Sequence, residues 1–103
     1  MPWIDAIAAE DVEQEDVIRW DHGARTFVII HSPDGDFFCT DGLCTHEQVH
    51  LCDGLVMDHE IECPRHNGIF DYRTGKALRA PACHHLTTYE TRQEGGRVFV
   101  NLP

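Results

Sequence analysis

The chain has 103 residues, 42% of them apolar, which is enough for one domain with a modest core and too apolar for a disordered chain. Its 18 acids against 8 Lys and Arg give a formal net charge of -10; this argues against nucleic acid or an anionic membrane as partner and suits brief docking on a basic surface. No apolar run approaches the length of a membrane helix and no signal peptide follows Met1, so the chain is expected in the cytoplasm, where thiols stay reduced.

In chain order, residues 3–7 read as an opening strand and residues 10–16 as an acidic, solvated turn. Residues 17–21 are rich in strand formers, and His22-Gly23-Ala24 marks a hairpin turn. Residues 26–31 are β-branched and aromatic, the composition of a well-buried strand. Ser32-Pro33-Asp34-Gly35-Asp36 supplies a turn, and residues 37–41 return as a strand. Residues 55–57 and 60–62 read as short strands around Asp58-His59, and residues 70–72 lead into a turn containing Gly75. A loop around Pro81 precedes a long alternating strand over residues 86–92, and Gly95-Gly96 turns the chain into a closing strand over 97–101. Short strands separated by turn signals predict an all-β fold, sandwich or barrel-like, with no helix.

Five cysteines, an odd number, are poor evidence for a disulfide framework, and Cys39, Cys52 and Cys83 read as small buried hydrophobes. The other two belong to a pattern. Cys44-Thr45-His46 is followed after 16 residues by Cys63-Pro64-Arg65-His66, and a glycine, Gly54 or Gly68, follows each half. Two thiols and two imidazoles at this spacing form a metal-ligand pattern, open to a tetrahedral zinc site or to a two-iron, two-sulfur cluster with mixed ligands. Zinc hairpins place C-x2-4-C on one side and H-x3-5-H on the other. Here each loop carries one Cys and one His, which suits two irons with different surroundings. His50, inside the first loop, reads as an exposed loop histidine; His84 and His85 read as surface, with docking near the cluster edge as the alternative; His22, His31 and His59 carry no chemistry of their own.

The two boxes give the sequence a resemblance to the Rieske-type ferredoxins of bacterial aromatic-ring-hydroxylating dioxygenase systems. Cys44-Thr45-His46 with Leu51 and Gly54 resembles the family's first box; Cys63-Pro64-Arg65-His66 with Gly68, Phe70-Asp71 and Thr74-Gly75 resembles the second. Pro81-Ala82-Cys83 is similar to the segment that forms a third loop over the cluster. The resemblance implies one [2Fe-2S] cluster, with Cys44 and Cys63 on the inner iron and His46 and His66 on the outer iron near the surface. It implies an antiparallel β-sandwich base, about residues 1–42 and 71–103, with a small cluster-binding lobe, about residues 43–70, inserted into a single domain. Val49 and Arg65 stand where a disulfide-bearing branch has cysteines, so the chain resembles the low-potential, disulfide-free branch.

The implied role is that of a monomeric one-electron carrier, not an enzyme. It would take electrons from an NAD(P)H-dependent flavin reductase and pass them to a terminal oxygenase. Two ferric ions, two sulfides and two thiolates sum to zero charge, so reduction meets less repulsion than in a four-thiolate cluster and the potential rises. The contact surface is expected at the apical loops, around Glu47, Gln48 and Arg65. The alternatives are a small Rieske subunit of a larger reductase, such as assimilatory nitrite reductase, and a structural zinc module. The short chain and the lack of a second set of two His and one carboxylate argue against a terminal oxygenase.

Overall fold

The computed structural model describes residues 3–65, 67–80, 82 and 84–103, and among these it contains eleven short strands, two 3-10 turns and no α-helix. Three antiparallel sheets form. The first comprises β1 (Trp3–Ala8), the closing strand β11 (Arg97–Asn101) and β10 (Thr91–Glu94), in the order β1-β11-β10. The second comprises β2 (Asp16–His22), β3 (Arg25–His31), β4 (Phe37–Asp41) and β9 (Thr88–Tyr89), in that order. The third is a meander of β5 (Leu55–Met57), β6 (Glu60–Glu62), β7 (Ile69–Asp71) and β8 (Lys76–Arg79).

Strand β3 holds these sheets together. Phe27, Val28, Ile29 and Ile30 are at most 1% exposed, so both faces of the strand are covered. This is why its sequence is a continuous apolar run and not an alternation. Phe27 and Ile29 face a core with Trp20, Val98 and Val100 of the sandwich base. Val28 and Ile30 face a second core with Leu51, Val56, Ile61, Phe70, Tyr72 and the cysteines Cys44 and Cys63. The ligand-bearing loops therefore rest on the same strand that seals the base.

Polar contacts tie the third sheet to its neighbour. His59, in the turn between β5 and β6, lies 2.6 Å from Asp34 in the turn between β3 and β4. The Asp58 N–H donates to Glu15 at 2.7 Å, and the buried Tyr72 hydroxyl donates to the Asp58 carbonyl at 2.5 Å. Asp58 adopts a left-handed conformation, φ 55°, in this two-residue turn, a conformation that Asp tolerates better than most residues.

One expected element is corrected. Residues 86–92 do not form one strand. Leu86 and Thr87 are held in a loop by Gly75 and Asp41; Thr88 and Tyr89 pair with Thr40 and Cys39 in the second sheet; Thr91 pairs with Val100 in the first. The chain changes sheets at Glu90, whose carbonyl accepts the Asn101 N–H at 2.9 Å. Alternation persists on both sides of the break because each half packs one face against the base. Lys76–Arg79 is also a strand, where the sequence suggested only the end of the Gly75 turn and the approach to the Pro81 loop.

Candidate metal centre

The first ligand loop leaves β4 at Gly42, whose N–H donates to the Thr26 carbonyl at 3.0 Å. Leu43 and His50 form an isolated bridge, and the Cys44 N–H donates to the Val49 carbonyl at 2.9 Å, so the loop doubles back on itself. Leu51, fully buried, anchors its far end in the core beneath Val28 and Ile30. His46 is exposed on this loop.

The second loop is tighter. The Cys63 N–H donates to the Gly68 carbonyl at 2.7 Å and closes its neck. Asn67 reverses the chain at φ 60°, a conformation that costs an L-residue about 1–2 kcal/mol and that Asn visits more readily than most. Gly68 packs on the third segment: a Cβ there would lie 3.0 Å from both the nitrogen and the Cβ of Ala82. The same segment reaches the first loop, where the Thr45 hydroxyl donates to the His84 carbonyl at 2.7 Å.

Cys44 and Cys63 meet at the bottom of the two loops, 3% and 1% exposed, within hydrogen-bonding reach of each other. Burial pushes the Cys63 thiol up to about 11; the Cys44 thiol and Glu47 add to this, and the Arg65 backbone N–H opposes it. A buried thiol pushed up in this way loses its proton readily only to a cation that replaces it. The donor set thus has a buried thiol pair below and an exposed imidazole above, which fits a cluster with one iron deep and one at the surface. His66 lies outside the described residues. Among the described residues no three His, Cys, Asp or Glu side chains converge on a single point.

Two guanidinium contacts around the loops carried no sequence signal. Arg65 Nε lies 3.0 Å from Glu47 Oε2, so an ion pair spans from one ligand loop to the other. Arg79 of β8 donates through Nε and Nη2 to the Asn67 carbonyl, each at 3.3 Å. The Asn-Gly dipeptide at 67–68 was the signal that could have marked the reversal. Of the other singled-out residues, His50 is half-buried and not exposed, and it bridges to Leu43 across the loop. His84 and His85 are exposed, and His85 Nδ1 accepts the Ala77 N–H at 3.1 Å. Cys39 is buried; Cys52 is only half-buried, its sulfur 3.9 Å from Asp53; Cys83 lies outside the described residues.

The sequence matches the family model of the Rieske [2Fe-2S] domain over residues 2–90. It is 38% identical over 100 residues to the ferredoxin component of the naphthalene 1,2-dioxygenase system of Pseudomonas putida, covering 97% of this chain and 95% of that protein. A solved ferredoxin of Sphingomonas yanoikuyae B1 is similar with a TM-score of 0.90 at 31% identity, covering 97% of this chain and 98% of the other. A structure described as the complex of reduced oxygenase and oxidized ferredoxin in carbazole 1,9a-dioxygenase is similar with a TM-score of 0.89 at 30% identity, covering 95% of this chain and 91% of that one.

Proposed function

The chain belongs to the Rieske [2Fe-2S] domain family, and from that membership we propose how it works as the electron-carrying ferredoxin component of an aromatic dioxygenase system. It holds one Rieske-type [2Fe-2S] cluster and is an electron-transfer component, not itself an enzyme. Cys44 and Cys63 hold the inner iron as thiolates, and His46 and His66 hold the outer iron, in a lobe of about residues 43–70 on the base formed by the rest of this single domain. The observation that carries this reading is the pair of adjacent buried thiols beneath a loop whose histidine faces solvent.

When bound, the cluster supplies a one-electron couple. The chain's own residues determine what can reach it. Leu51, Phe70 and Ala82 keep water from the thiol side, and His46 leaves an imidazole edge at the surface for a partner. The donor is a flavin reductase driven by NAD(P)H, and the acceptor is a terminal oxygenase that meets the apical loops around Glu47, Gln48 and Arg65. The protein acts as a monomer in the cytoplasm. Among the described residues no helix is long and apolar enough to cross a membrane.

Two measurements test this. The dithionite-reduced protein is expected to give the low-average-g EPR signal of a mixed Cys/His two-iron cluster; a colourless protein with one zinc would sink the assignment. The purified chain, added to a flavin reductase, NADH and an aromatic-ring oxygenase, is expected to restore product formation. Equal turnover with and without the chain would refute the carrier role.

A further inference from the structure

A loop of a few residues joins β6 to β7 and carries the second half of the Cys-and-His motif. Its neck is closed by one backbone hydrogen bond, from Cys63 to Gly68, and its last turn is the left-handed Asn67. The Asn67 carbonyl needs a partner from elsewhere. That partner is Arg79, whose Nε and Nη2 both reach this oxygen at 3.3 Å. The same Nη2 lies 3.5 Å from Glu62 Oε2, on the residue before Cys63. One guanidinium therefore spans both ends of the second ligand loop.

The location of Arg79 follows from the sheet. Arg79 pairs in register with Ile69, just after the loop, and the ladder of β7 and β8 shifts register between Ile69 and Phe70. The shift carries the end of β8 alongside the loop. The Arg79 side chain is 57% exposed and fills no core position, so packing alone does not call for an arginine here. A rigid fork that puts two donors on one carbonyl and still faces a carboxylate is a property of Arg that Lys, with its single ammonium, reproduces only in part.

We infer that Arg79 is a positioning residue for the cluster: by holding the Asn67 carbonyl and Glu62 together, it fixes the two ends of the second ligand loop. This rests on the ligand assignment proposed above. Arg73 is the internal control, because it sits in the turn before β8 and pairs with Asp71 at 3.1 Å, and among the described residues it makes no hydrogen bond or ion pair to the loop.

The test uses the cluster-loaded protein with Arg79→Met, Arg79→Lys and Arg73→Met. EPR g-values, midpoint potential and the rate of cluster loss to an iron chelator are read, with circular dichroism as the fold check. Arg79→Met is expected to change the g-value spread and to speed cluster loss about 1.4- to 5-fold, the range that loss of an exposed charged contact supports. Arg79→Lys should recover part of both effects, and Arg73→Met should match the wild type. Wild-type g-values, potential and cluster loss in Arg79→Met would overturn the inference, as would an equal change in Arg73→Met. A wild-type protein without a Rieske EPR signal would overturn the ligand assignment itself, and this inference with it.

Discussion

The ion pair between Glu47 and Arg65 joins the two ligand loops, each partner one residue from a histidine of the ligand motif, with Nε and Oε2 3.0 Å apart. Its side chains are 35% and 62% exposed, so the pair works in a high-dielectric setting. Exposed pairs of this kind contribute about 0.2–1 kcal/mol in double-mutant cycles. That corresponds to a change of about 1.4- to 5-fold in any rate governed by the loops parting. The assay is bleaching of the cluster's visible absorbance under an iron chelator, for Glu47→Gln, Arg65→Met, the double variant, and the exchange Glu47→Arg with Arg65→Glu. Each single variant is expected to lose the cluster faster within that range. The double variant should be no worse than the worse single one, because the removed contact is the same. The exchanged pair should recover the wild-type rate. Salt should erase the wild-type advantage as the screening length falls from about 10 Å at 0.1 M to about 3 Å at 1 M. Strictly additive single variants, or a wild-type rate insensitive to salt, would show that the pair does not hold the loops together.

Three further outcomes are expected. Gly54→Ala would drive a Cβ into the Glu62 carbonyl oxygen and within 3.1 Å of the Leu51 carbonyl; the backbone ahead of Cys63 must move, at an overpacking cost of about 1–3 kcal/mol. Thermal unfolding at an unchanged midpoint would contradict this. Both tyrosines, Tyr72 and Tyr89, have phenols pushed up to about 12, chiefly by burial, and the hydrogen bond of Tyr89 to Asp41 adds to its shift. Their neutral forms stabilise the fold fully below the unfolded value of about 10, and that contribution is lost as pH rises through about 12; tyrosinate absorbance rising near the ordinary value would disprove it. Stripping the iron should lower the unfolding temperature, because metal binding and folding are linked. It should speed amide exchange in the two ligand loops before that of β3, and uniform exchange across the chain would argue against a locally held centre.

The two candidate ligand loops stand out in the sequence because their chemistry is local: a Cys and a His within a few residues, followed by Leu51 or Phe70, both fully buried, to anchor each loop. The double burial of β3 was legible for the same reason, since an uninterrupted run from Phe27 to Ile30 leaves no face for water. The sheet change at Glu90 was not. Alternation records that one face of a segment is buried, and it reads the same whether the partner is Cys39 in one sheet or Val100 in another. The supports of the centre were hidden too, because they are contacts between distant residues: Thr45 reaches His84 across 39 positions, and Arg79 reaches Asn67 across 12. Each uses a backbone carbonyl as acceptor, and every residue carries one, so neither the Thr nor the Arg has a partner type that a reader of sequence could look for. Candidate ligands are marked by what they are, whereas the residues that support their loops are marked only by where the fold brings them. The third segment shows why this matters for the centre. Ala82 presses on Gly68 and the His84 carbonyl takes the Thr45 hydroxyl, so one stretch beyond both motifs restrains both ligand loops. Loosening that stretch should disturb the two loops together, whereas loosening Arg79 should disturb only the second.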